Sequence, residues 1–148
     1  MQELLVKSGA GSLVSELKKK TTWELVELAH RELEKMKARQ VELCSIMNVK
    51  SGACSEDCRF CAQSARHKTQ APVYPLKGRE EILEAAAQAV KDGAGRFGLV
   101  ASGRSLTEED IGRIADAVRA MRRRFGIRVC ASLGMLGEKS LLLLKEAG

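Results

Sequence analysis

Three of the chain's five cysteines fall within eight positions. The stretch "SGACSEDCRFCAQS", residues 51–64, sets Cys54, Cys58 and Cys61 in the spacing C-x3-C-x2-C. One short loop thus offers three thiolates and no obvious fourth ligand. A closed structural zinc site takes four ligands, and an iron–sulfur cube generally takes four cysteines, one per iron. With three, one iron keeps an open position that can bind a substrate directly. Gly52 permits close approach of the backbone to a compact group. Lys50, Arg59, Arg66 and Lys68 offset the charge of the thiolates, which is one of the levers on cluster potential. A rival reading adds His67, giving C-x3-C-x2-C-x5-H, a Cys3His zinc module.

The elements around this loop alternate. "TTWELVELAHRELEKMKA" reads as an N-terminal helix: Thr21 and Glu24 form a capping box, and Leu25, Ala29, Leu33 and Met36 share a face. His30 on it reads as a surface residue. "VELCSIMNV", 41–49, is a strand by composition, and the cysteine loop follows at once. Pro72 and Pro75 mark an irregular connection. A helix over "REEILEAAAQAVKDG" points Ile82, Ala86, Ala89 and Val90 inward and closes on Gly93. A second strand spans 96–102. The next helix opens on Thr107 and Asp110 and carries Ile111, Ile114, Ala115, Val118 and Met121 on one stripe. A third strand spans 127–133, and "GEKSLLLLKEAG" is a last helix.

A helix followed by three strand–helix units predicts parallel strands with crossover helices, an α/β fold of the partial TIM-type (βα) barrel kind. Such folds place ligands at the carboxyl ends of their strands. The loops leaving those ends are 49–68, 102–107 and 133–138, and the first holds the cysteines. Strand alternation adds a second indication. Ile127, Val129, Ala131 and Leu133 oppose Arg128, Cys130 and Ser132. Phe97, Leu99 and Ala101 oppose Gly98, Val100 and Ser102. Glu42, Cys44, Ile46 and Asn48 form the more polar face of the first strand. The apolar sets are expected on the helices and the mixed sets in a barrel interior, with Asn48, Ser102 and Cys130 inward. A buried apolar thiol is an equal alternative for Cys130, and Cys44 is read as structural.

Composition bounds the rest. With 45% apolar and 30% charged residues the chain is globular in type. No apolar run approaches the ~20 residues of a membrane span, and the first twenty residues lack signal-peptide order. The expectation is a cytoplasmic protein with reduced thiols; the odd cysteine count also argues against a disulfide framework. The formal charge of +6 raises nucleic acid as a partner, but aromatics are only 3%. Arg122, Arg123 and Arg124 fall where cations complement a helix C-terminus, so nucleic-acid binding is disfavoured. Residues 1–20 are expected to be a flexible segment, and 21–148 the N-terminal part of a barrel.

The cysteine spacing, with Phe60 just before the last cysteine, is similar to the radical S-adenosylmethionine (SAM) signature. The longer stretch "VELCSIMNVKSGACSEDCRFCAQSARH" resembles the biotin synthases within that superfamily, with "NVKSG" and "CAQS" carrying the finer likeness. The resemblance runs from about Thr22 to Gly148. It implies a 4Fe-4S cluster held by Cys54, Cys58 and Cys61, with SAM on the open iron. Phe60 would lie near the adenine, and Ala101, Ser102 and Gly103 near the methionine end. No catalytic side chain beyond the cluster ligands is implied. The implied reaction is sulfur insertion into dethiobiotin from an auxiliary iron–sulfur cluster, one of whose ligands matches Cys130. Implied partners are an electron donor such as flavodoxin or ferredoxin and a second copy in a homodimer. Hydrogenase maturases and methylornithine synthases share the architecture and stand as alternatives. Two departures matter. Gly98 stands where the family has its first auxiliary cysteine. A complete barrel takes ~250 residues, so this chain is expected to be a fragment, incomplete for catalysis, with substrate-binding residues beyond Gly148.

Overall fold

The computed structural model describes residues 10–36 and 41–148. Two compact units divide between Val41 and Glu42.

The first unit holds two helices, α1 (Ala10–Leu17) and α2 (Thr22–Lys35). Helix α1 departs from the loosely ordered opening expected for residues 1–20. Residues 1–9 lie outside the described residues. The small residues Gly11 and Ser12 suggested flexibility, yet Leu13 and Leu17, four apart, are its half-buried positions, the period of a helical face. Helix α2 starts as its capping box predicts. The Glu24 backbone N–H donates to the Thr21 hydroxyl at 3.3 Å, and the Thr21 N–H donates back to the Glu24 carboxylate at 2.7 Å. That backbone N–H, followed by the Thr21 hydroxyl, holds the Glu24 carboxyl below the usual carboxylate range. The expected face of Leu25, Ala29, Leu33 and Met36 is exposed; Leu28 and Glu32 are the half-buried positions of α2, and none of this helix's residues is fully buried.

The second unit carries β1 (Cys44–Lys50), α3 (Arg79–Lys91), β2 (Arg96–Ala101), α4 (Glu108–Phe125), β3 (Arg128–Ser132) and α5 (Glu138–Ala147). The strands form one parallel sheet in the order β1-β2-β3. β1 begins at Cys44 rather than Val41. Helix α4 ends where Gly126 takes a φ of 63°, a left-handed cap that glycine adopts without a Cβ penalty.

Alternation divides the sheet as expected. Val49, Phe97, Leu99, Ile127 and Leu133 are buried and join one core with Ile82, Ile111, Ile114 and Met121 of the helices. Packing runs from α3 to α4 and from α4 to α5, so all three helices cover the same face. That arrangement belongs to barrels; a doubly wound sheet puts helices on both faces. The register aligns Ile46, Gly98 and Cys130 on the opposite face, where Ile46 and Cys130 are exposed. At the amino end of that sheet Glu42 pairs with Arg96 and Arg128. In α3 the expected inward Val90 is 37% exposed. Leu83, two turns earlier on the same side, is buried next to Ile82 and one turn from Ala86.

Gly112 lies inside α4, and a Cβ built there meets nothing within 4 Å. Glycine in a helix interior costs about 0.5–1 kcal/mol relative to alanine. Gly112→Ala should therefore stabilise the chain by about that amount, read as a higher urea midpoint with an unchanged slope.

Candidate metal and cofactor site

The three strand-end loops meet. Strand β1 leaves its ladder through a bulge, since the pairing with β2 shifts between Asn48 and Lys50; such bulges re-aim the chain beside functional sites. The chain then turns sharply at Gly52 (φ 71°) and Ala53 (φ 48°), two successive left-handed residues. For Ala53 this costs roughly 1–2 kcal/mol. A Cβ at Gly52 would lie 2.5 Å from Val73 Cγ2, so glycine is required there for space as well as for φ. Val73 comes from the proline-containing connection. That segment has no helix, as expected, but it docks: Ser51 and Tyr74 exchange backbone hydrogen bonds at 3.2 and 3.0 Å, and Tyr74 Oη donates to the Asn48 carbonyl at 3.0 Å.

The cysteine loop itself is crossed by short-range bonds. Cys54 is buried. Its N–H donates to the Gln63 carbonyl at 3.1 Å, and its own carbonyl accepts from Ala65 N–H at 2.9 Å. Cys58 and Cys61 sit on one turn, closed by Cys61 N–H to the Cys58 carbonyl at 2.9 Å. Cys58 is exposed and Cys61 half-buried. Buried Ser64 donates to the Glu56 carbonyl at 2.6 Å and receives the Arg66 N–H at 3.2 Å. His67 spans the loop, with Nδ1 at 3.2 Å from the Cys61 carbonyl and Nε2 at 3.2 Å from Asp57 Oδ1.

The loop after β2 ties this loop to the third. Ser102 N–H donates to the Lys50 carbonyl at 3.0 Å, and its hydroxyl donates to the Gly52 carbonyl at 2.8 Å. The Arg104 guanidinium reaches Glu56 at 3.5 Å, and the Arg104 carbonyl accepts Met135 N–H at 2.8 Å. Gly134 crosses so near that a Cβ there would lie 2.4 Å from the Arg104 oxygen.

The predicted residues therefore divide. Cys54, Cys58 and Cys61 share one loop, and Ala101, Ser102 and Gly103 abut it through the bonds of Ser102. Phe60 stands 94% exposed on the loop. Cys130 lies apart, on the face away from α3, α4 and α5, with its Sγ 3.5 Å from where a Cβ at Gly98 would sit; that same Cβ would lie 2.9 Å from Ile46 Cγ2. Among the described residues no group of three or more His, Cys, Asp or Glu stands close enough to hold a metal ion. The donor set of the loop is three thiolates, the ligand type of iron–sulfur clusters, and one backbone turn carries Cys58 and Cys61. These residues fit such a group. Gln63, Ser64 and His67 were not singled out from the sequence as holding the loop; polar residues just after the last cysteine were the available signal.

The radical SAM superfamily model matches residues 48–148. The chain belongs to the radical SAM superfamily. Membership implies a 4Fe-4S cluster and SAM. Within the superfamily the chain is similar to biotin synthases. It is 50% identical over 109 residues to that of Pelotomaculum thermopropionicum, covering 74% of this chain and 34% of the relative. It is 51% identical over 110 residues to that of Aquifex aeolicus, covering 74% and 33%, and 43% identical over 125 residues to that of Sulfurihydrogenibium sp., covering 84% and 38%. The chain thus spans little more than a third of these relatives' length. Among solved structures it is similar to a methylornithine synthase, with a TM-score of 0.59 and 24% identity, covering 74% of this chain and 31% of that one. At that identity the likeness speaks for the superfamily's barrel fold. No helix among the described residues is long and apolar enough to cross a membrane.

The clash at Gly52 yields a direct expectation. Gly52→Ala should destabilise the chain by roughly 1–3 kcal/mol, through backbone strain and displacement of Val73. Urea unfolding measures the loss, and limited proteolysis should cut within 51–66 first.

Proposed function

We propose that these residues form the cluster-binding and SAM-binding part of a biotin synthase, which inserts sulfur into dethiobiotin. The carrying observation is the C-x3-C-x2-C loop at the carboxyl end of the first parallel strand, tied to the loop after the second. The 50% and 51% identities to biotin synthases support that substrate over others in the superfamily. Cys54, Cys58 and Cys61 would hold the cluster and leave one iron for the amino and carboxylate groups of SAM. When bound, the pair supplies one-electron cleavage of the sulfonium carbon–sulfur bond and so a carbon radical. Around it this chain's residues bind and orient. Ala101 and Gly103 offer backbone beside the loop for the methionine end. Phe60, with its ring free of the core, is available to cover the adenine. Lys50, Arg59, Arg66 and Lys68 balance thiolate charge. Cys130, on the face away from α3, α4 and α5, is a candidate ligand of an auxiliary cluster, with Gly98 leaving the neighbouring position without a thiol. The electron would come from a donor such as flavodoxin or ferredoxin in the cytoplasm, where thiols stay reduced.

The zinc reading finds less support. His67 would be its fourth ligand, and both of its ring nitrogens are already engaged, by the Cys61 carbonyl and by Asp57.

Anaerobic reconstitution of the chain with iron and sulfide should give a brown protein that, with reductant, cleaves SAM to 5′-deoxyadenosine. Cys58→Ala should lose both properties; normal iron content in that variant would sink the assignment. The substrate is tested separately. Replacing the matching segment of the Aquifex aeolicus enzyme with this one should preserve biotin formation from dethiobiotin, measured by mass spectrometry.

A further inference from the structure

Ser102 is one of three buried polar residues among those described, with 7% of its surface exposed. Its hydroxyl lies within the fold, against the carbonyl of Gly52 at 2.8 Å, across fifty positions of sequence. The other side of the same residue is held as well: Gly52 N–H donates to Gln63 Oε1 at 3.1 Å. Val73 blocks movement on a third side, 2.5 Å from where a Cβ would be. Gly52 and Ala53 are the two left-handed residues through which the chain enters the cluster loop. Cys54 follows at once, and its N–H is bonded to the main chain of that same Gln63.

We propose that Ser102 is a positioning residue for the cysteine loop. With Gln63 it clamps Gly52 from both sides, and so fixes the direction in which Cys54 presents its thiol. It acts through the loop and does not touch the cofactor. Strained backbone persists only where its surroundings over-determine it, and a buried carbonyl deprived of its donor is costly. Loss of the Ser102 hydroxyl therefore frees the Gly52–Ala53 turn first. Partners that orient metal ligands in this indirect way are typically worth 10–100-fold in metal affinity.

The proposal rests on the loop being the cluster site, and the test separates the two. In the metal-free chain, Ser102→Ala should speed amide exchange at residues 52–54 and 65 by about tenfold, while amides of β2 and β3 keep their protection. In the reconstituted chain it should lose iron to a chelator about tenfold faster than wild type, with a broadened electron paramagnetic resonance signal. Gln63→Leu should do the same, and the double variant should fall short of the summed effects, because both act on one residue's backbone. Should Ser102→Ala not fold, Gln63→Leu carries the same exchange test. Unchanged loop exchange with weakened SAM binding would overturn the proposal and make Ser102 a direct cofactor contact. A wild-type chain that takes up no iron would sink the cluster reading, and the exchange arm would then decide alone whether Ser102 orders the loop.

Discussion

The backbone at Gly52 is the constraint on which the carboxyl end of the sheet depends. Its N–H goes to Gln63, its carbonyl to Ser102, and its missing side chain makes room for Val73. Three separate segments therefore meet at one residue: the rest of the cysteine loop, the loop after β2, and the proline-containing connection. Only a residue tolerant of φ near 71° and lacking a Cβ serves all three. Buried polar groups must be paired, and here the pairing itself builds the site, because Gln63 follows β1 and Ser102 follows β2.

The sheet supplies a second constraint. Parallel pairing puts every second side chain of the three strands on the helix-covered face, where Val49, Phe97 and Leu99 are nearly inaccessible. The remaining side chains share the other face. Glu42, Arg96 and Arg128 lie at its amino end, and Ile46, Gly98 and Cys130 in its middle. The loops that meet around Gly52 stand at its carboxyl end. The register sets Cys44 beside Arg96 and Arg128 at the amino end and Cys130 in the middle. A one-residue slip of β3 would exchange Cys130 for Val129.

Much of this was legible in the sequence. Capping at Thr21 and Thr107, the left-handed stop at Gly126 and the stripe of α4 are local signals, decided within a few residues. The period-two pattern of the strands offered Cys130 the face away from the helices, with a buried apolar thiol as an equal alternative, and it stands exposed on that face. Local signals failed where tertiary contact decides. Val90 lies on the same side of α3 as Leu83, two turns later, yet it is 37% exposed while Leu83 is buried. Helix α1 formed where small residues suggested none. The hold on the cysteine loop was least legible. Ser102 bonds to a residue fifty positions away, and nothing in "VASGR" announces that its hydroxyl turns to a backbone carbonyl.

The three cysteines are unequal for the same reason. Cys54 is buried and bonded through its backbone on both sides. Cys58 and Cys61 ride on a turn whose contacts are mostly local, and Cys58 is exposed. Ordering a backbone residue costs roughly 1–2 kcal/mol, so a loop with one thiol already fixed asks less of the group that gathers the other two. Closing the four-residue step from Cys54 to Cys58 and the three-residue step to Cys61 adds little, since closure entropy grows only slowly with length. The packing around Gly52 and Cys54 thus reduces assembly of the site to the placement of one turn. Bonds from Ser64 to the Glu56 carbonyl and from His67 to Asp57 limit how far that turn can swing.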